Sequence, residues 1–184
     1  FIQDDMYLTY ASDTQLDFIP TFYKAAYDQF EGRIRVHSAT NTRATSSVDP
    51  AKAQRRGKAT SSITEAQMRR GGEGKFKWVT TLYPTDGYAQ DAGMSLKDYE
   101  DFVFGAIHAN EVDPIAFWKG TAAGQQKAID FLANKSQVTL RGPNVDLHLS
   151  IQGRKFSNST GVFNMPDGEI FTGPVEDSVN GWVK

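Results

Sequence analysis

Cysteine is absent from the 184 residues. Disulfides, thiolate metal sites and a cysteine nucleophile are thereby excluded. Any metal site must be built from carboxylates, histidines, tyrosines and water. Histidine is scarce, with His37, His108 and His148 the only three. None belongs to an H-E-x-x-H pair, so the helical zinc-protease arrangement is missing. Neither a G-x-S-x-G elbow nor a P-loop occurs. Gly71, Gly72 and Gly74 lack the spacing and the strand-to-helix setting of a dinucleotide loop. No stretch approaches the roughly 20 apolar residues of a spanning helix. No basic segment followed by an apolar one marks a signal peptide. No membrane partner is expected. An excess of positive charge is also lacking: 20 Lys and Arg face 22 Asp and Glu, a net charge of -2. Bulk electrostatics therefore give no nucleic-acid signal, although a local basic patch stays open.

What is present is an ordinary globular composition, 39% hydrophobic and 23% charged, enough for one core or parts of two domains. Residues 1–11 show no clear period. From Pro20, Phe22, Ala26 and Phe30 recur at helical intervals. Gly32 closes that helix. Ile34 and Val36 then alternate with Arg33 and Arg35 as in a short strand. Residues 38–48, rich in Ser and Thr, read as a loop. Asp49-Pro50 opens a helix, the Asp as cap and the Pro in the first turn. The basic run from Lys52 to Lys58 reads as a solvated helix face, with a phosphate site as the alternative. A strand follows over residues 75–82.

Ser95 and Asp98 form a capping-box-like start for a helix whose apolar stripe is Leu96, Tyr99, Val103 and Ala106. Asp113-Pro114 opens another helix, with Trp118, Ala122, Ile129 and Leu132 on one face. Trp118 reads as a core residue. After Asn134 the period changes from helix to strand. Val138 and Leu140 alternate, Gly142-Pro143-Asn144 turns, and Val145, Leu147, Leu149 and Ile151 alternate again, as in a hairpin. Short strands are expected near Phe156, Ile170 and Val179. The fold class is α/β, becoming β-rich towards the end, with a boundary near residue 135.

His148 shares the polar face of its strand with Asp146 and Ser150 and reads as solvent-facing. His108 lies late in a helix, where the dipole favours a cation. His37 follows a strand. The carboxylate with the most distinctive setting is Glu169. Asn164-Met165-Pro166-Asp167-Gly168 makes a turn directly before it. Glu169 then starts a strand, a rigid place from which to hold a carboxylate. On these grounds alone the turn reads as structural.

The run NMPDGEIFTGPVEDSVNG resembles the signature of the thermophilic-type metallo-aminopeptidases, the aminopeptidase T, aminopeptidase S and aminopeptidase II group. A second run is similar in the same family: Tyr83-Pro84-Thr85, then Ala89-Gln90-Asp91-Ala92-Gly93-Met94-Ser95 and Tyr99-Glu100-Asp101-Phe102. Val48-Asp49-Pro50-Ala51-Lys52 and Gly153-Arg154 fit it too. The resemblance implies a cytoplasmic, homodimeric peptidase acting on peptide substrates. It would remove N-terminal residues with two divalent metal ions, zinc or cobalt. A co-catalytic pair sits roughly 3.5–4 Å apart and needs bridging carboxylates and histidines.

In the family's P-x-x-E-[VI]-F-T pattern the Glu is a metal ligand, and here it falls on Glu169. The family's other ligands lie downstream of its signature, and none of the three histidines occupies such a position. The resemblance thus implies a central fragment. Residues 1–134 would close the N-terminal α/β domain, truncated but layered. Residues 135–184 would begin the β-rich, metal-binding catalytic domain. Such a fragment is expected to be inactive alone and to bind little or no metal. The alternative is a non-catalytic α/β module for interaction or dimerisation.

Overall fold

A computed structural model of the chain describes residues 4–184. It confirms an α/β fold arranged as two compact units, one ending at Val103 and the other running from Phe104 to Lys184. The division falls earlier than residue 135, where the periodicity changes. The reason is the long helix Pro114–Leu132. Its Gln125 and the backbone of Ala122 bind the strands that follow it, so it packs as part of the second unit.

The first unit opens with helices α1 (Asp4–Tyr10), α2 (Asp13–Asp17) and α3 (Thr21–Gln29). Strand β1 (Gly32–His37) then leads through α4 (Pro50–Gly72) to β2 (Lys77–Leu82). The two strands pair in parallel, Gly32 opposite Lys77 and His37 opposite Leu82. Parallel pairing needs a crossover, and α4 supplies it. Two shorter helices follow, α5 (Asp86–Asp91) and α6 (Leu96–Ala106), the latter running across the division between the units.

Helices α1 and α2 contain stretches that the periodicity leaves unassigned. α2 is held by a capping box, the Ser12 hydroxyl accepting from Gln15 N–H while the Gln15 side chain accepts from Ser12 N–H. It carries Leu16, whose side chain is fully buried. Helix α5 is likewise set by its cap, Thr85, whose hydroxyl accepts from Tyr88 N–H.

The Asp49-Pro50 start is as expected, with Asp49 accepting from Ala51 N–H. The basic run on α4 is partly solvated, with Arg55 and Lys58 exposed, but it also makes specific contacts. Lys52 donates to the carbonyls of Thr9 and Ala11, and Arg56 to those of Leu16 and Phe18. Arg55 pairs with Asp13 at 2.7 Å and Asp17 at 2.6 Å. The run therefore fastens the N-terminal helices to α4. Near the other end of α4, buried Arg70 donates to the carbonyls of Tyr27, Phe30 and Lys75, and its guanidinium lies over the Phe76 ring. Phe76 is buried, whereas Ile34 and Val36 of β1 are exposed.

The second unit is built on α7 (Pro114–Leu132), capped by Asp113 accepting from Ala116 N–H at 2.9 Å. Strands β3 (Gln137–Gly142) and β4 (Val145–Ser150) form the expected hairpin, Gly142 opposite Val145. A later strand, β7 (Asn180–Val183), pairs antiparallel with the other edge of β4. There Gly181 has φ +127°, and a Cβ would overlap the Asp146 carbonyl oxygen, so only glycine fits. A separate pair, β5 (Ser157–Ser159) with β6 (Glu169–Phe171), rests on α7. A short 3-10 turn, Glu176–Ser178, precedes β7. His108 lies beyond the end of α6 rather than within it, with φ +56°.

Candidate functional site

Glu169 is the first residue of β6 and stands opposite Ser159 of β5. Its backbone is held by α7: Gln125 donates from Nε2 to the Glu169 carbonyl at 2.6 Å and to the Ser159 carbonyl at 3.1 Å. Asn158, one residue earlier on β5, donates to the Ala122 carbonyl of α7 at 3.1 Å. Asn158 and its partner Ile170 thus face α7. Alternation puts Glu169 on the opposite face of the strand pair. Its carboxylate is exposed and has no hydrogen-bond partner among the described residues.

The turn before Glu169 explains how the sequence sets that position. The Met165–Pro166 bond is cis. The Asp167 carboxylate accepts from Gly161 N–H at 2.8 Å, closing the loop between β5 and β6. Gly168 has φ +110°, which glycine tolerates and other residues rarely adopt. After β6, Thr172 donates to the Lys155 carbonyl and Val175 N–H to the Ser150 carbonyl, so the strand is fixed on both sides. Arg154 and Glu176 pair at 2.5 Å. The Glu176 carboxyl is held below its ordinary value by a hydrogen bond from its own backbone N–H and then by Arg154.

A groove of about 560 Å³ opens on the α7 side of this unit, lined chiefly by Ile107, Ile115, Trp118, Gly161 and Met165. Trp118 is half-buried there, not enclosed in a core, and donates from Nε1 to the Ile107 carbonyl. Glu169 is not among the lining residues. The groove touches the signature turn from behind, since a Cβ on Gly168 would stand 3.7 Å from the Trp118 ring.

The histidines remain apart from Glu169. His148 lies 3.1 Å from Asp146 through Nε2, and its Nδ1 is 3.2 Å from the Thr139 hydroxyl. Acid, imidazole and hydroxyl are in line, but the ring nitrogens are exchanged relative to a hydrolase triad, with the acid beside Nε2 and the hydroxyl at Nδ1. These side chains also sit on a strand face, and none of the cavities described includes them. His108 stacks on Phe117 and lies 3.3 Å from Glu111. His37 ends β1 in the first unit.

The thermophilic metalloprotease (M29) family model matches residues 3–184. The chain belongs to that family. Over 124 residues it is 31% identical to Aminopeptidase 2 of Geobacillus stearothermophilus, a match covering 58% of this chain and 30% of that protein. Its fold is similar to that of wild-type AmpT from Thermus thermophilus, with a TM-score of 0.74 at 22% identity. That likeness covers 95% of this chain and 48% of the AmpT chain. The chain therefore spans about half the length of that solved relative, or less in the case of Aminopeptidase 2.

Membership implies divalent metal, so the donors present bear on it directly. Asp167 is committed to Gly161, Glu176 to Arg154, and His148 to Asp146 and Thr139. Among the described residues, no group of three or more His, Asp and Glu side chains could hold a metal ion. Glu169 is a free carboxylate on a fixed backbone, but the donors described around it do not complete a coordination shell. No described helix is long and apolar enough to cross a membrane.

Proposed function

We propose that the protein containing these residues is a metal-dependent aminopeptidase, cleaving N-terminal residues from peptide substrates. The observation that carries this reading is the family match over residues 3–184, supported by the name of the Geobacillus relative, an aminopeptidase. Glu169 contributes one carboxylate to a divalent-metal centre that takes its remaining ligands from elsewhere in the protein. Support comes from the geometry of the signature turn. Asp167, Gly168 and Gln125 fix the backbone at Glu169 while leaving its side chain unspent. That is the state a ligand needs before metal arrives.

The finer reading is two ions per site, zinc or cobalt, in a cytoplasmic homodimer. The first unit would belong to an N-terminal α/β domain, and the strands from residue 135 onward to the start of the catalytic domain. Residues 1–184 alone would show no turnover.

The test is hydrolysis of aminoacyl chromogenic substrates by the intact protein, after chelation and after re-addition of zinc or cobalt. Chelation should abolish turnover and the metal should restore it. Glu169→Gln should abolish turnover and weaken metal retention by at least tenfold, the effect of losing an ionised ligand. Full activity in Glu169→Gln, or in the chelated protein, would sink the assignment. Turnover by residues 1–184 alone would overturn the inactivity.

A further inference from the structure

The space between β1 and α4 is where an α/β unit ordinarily packs apolar side chains. Here it is basic. Arg33 and Arg35 lie two positions apart on β1 and share a face, and Arg56 reaches the same space from α4. They line a cavity of about 410 Å³ together with Tyr23, Tyr27 and Gln67. No Asp or Glu is among its lining residues.

Arg33 is half-buried and held in place. From Nη1 it donates to the Tyr27 hydroxyl at 2.9 Å and to buried Gln67 at 3.2 Å, and from Nη2 to Thr80 at 3.5 Å. All three partners are neutral. Its Nε is buried and has no partner among the described residues. Tyr27 accepts from Arg33 and so keeps its own proton to donate. Arg56 spends only Nη1 on carbonyls, those of Leu16 and Phe18. Arg35 is exposed, with no partner among the described residues. None of the three forms an ion pair there.

Arg55, next to Arg56 in the chain, shows the alternative, since its guanidinium is neutralised by two carboxylates. Arg55 holds Asp13 and Asp17, whereas Arg33 and Arg56 have neutral partners only. A partly buried cation without a counter-charge is costly, and one supplied from outside would relieve that cost. Planar guanidinium forks match the oxygens of an oxyanion, and three cations without a carboxylate favour a multiply charged one.

We propose that this cavity binds a phosphate-class oxyanion, inorganic phosphate or a phosphate monoester, gripped by Arg33, Arg35, Arg56 and the Tyr27 hydroxyl. Its volume leaves room for an organic substituent on the phosphate. The site lies wholly within the first unit and does not depend on the aminopeptidase reading.

The experiment is calorimetric titration of inorganic phosphate into the intact protein at low ionic strength, with acetate titrated in parallel. Phosphate should bind stoichiometrically, raise the thermal midpoint and weaken as salt is added. Arg33→Gln and Arg35→Gln should each weaken it about tenfold or more, as loss of a charge-assisted hydrogen bond implies. Should Arg33→Gln fail to fold, Arg35→Gln decides alone, because that side chain is exposed and unpaired. Titration of a phosphate monoester then reads the room for a substituent, and binding no weaker than that of phosphate is expected. Absence of phosphate binding, unchanged affinity in Arg35→Gln, or equal binding of acetate would overturn the proposal.

Discussion

Replacing Gly168 with alanine separates backbone strain from packing at the signature turn. At φ +110° an L-residue is strained, at a cost of about 1–3 kcal/mol. Packing adds little, since the new Cβ would stand 3.7 Å from the Trp118 ring, an ordinary contact. In the opposite direction, alanine restricts the unfolded chain and returns about 0.4–1 kcal/mol. The middle of both ranges leaves a net loss of about 1.3 kcal/mol. For a chain of this size that lowers the thermal midpoint by about 3–5 °C.

Gly173→Ala is the matched control. Gly173 lies just beyond β6, has no positive φ, and a Cβ there would meet nothing within 4 Å. It should be neutral or slightly stabilising. Urea and thermal unfolding of both variants give the comparison, and amide exchange across the β5–β6 pair gives the local readout. Exchange should quicken in Gly168→Ala alone. If the two variants unfold alike, the turn is not set by the backbone of Gly168, and the account of how Glu169 is positioned fails with it.

Asp167→Ala removes the acceptor of Gly161 N–H and should cost about 1–2 kcal/mol in urea unfolding, with Asp167→Asn recovering most of it. Leu16→Ala empties a fully buried position and should cost about 2–5 kcal/mol, read from the same denaturation curves. The Arg55 hydrogen bond lowers the carboxyl of Asp17 below its ordinary value. Its contribution is therefore complete above the unfolded carboxylate range and disappears as pH falls through the lower, folded value. Arg55→Gln should flatten the acid limb of a stability-against-pH curve without altering its neutral plateau in shape. An unchanged acid limb would count against the pair.

Features written into short stretches of sequence were legible. The hairpin of β3 and β4 follows from strict alternation around Gly142-Pro143-Asn144, and both Asp-Pro pairs start helices where the cap logic puts them. α2 and α5 were not legible from periodicity, because helices of one or two turns contain too few residues to show it. Their signal was in the caps, the Ser12 and Gln15 box and the Thr85 hydroxyl.

The contacts of the basic run on α4 were not legible for a different reason. Charge alone does not show that Asp13, Asp17 and several backbone carbonyls lie within reach. On β1 the alternation was visible but its sense was not, since Arg33 faces the helix layer while Ile34 is exposed. At the candidate site, the turn and the strand start were readable from Pro166, Asp167 and Gly168. Gln125, which fixes the strand from α7, was not, because nothing local in that helix points to a partner so distant in the chain.

The crossover between β1 and β2 also separates the order of synthesis from the order of folding. β1 emerges before its partner β2, and the two can pair only once α4 has been made and laid back across them. The β3–β4 hairpin closes through a tight turn, an event of about 1–10 μs for such elements. Pairing across α4 must first close a long loop, whose entropic cost rises with length. β1 is thus made before its partner and settles late, and its apolar Ile34 and Val36 lie open throughout. A nascent chain of this kind is most vulnerable to wrong pairing along β1, and a charged substitution at Ile34, already exposed in the folded unit, would protect it at little cost to the final structure.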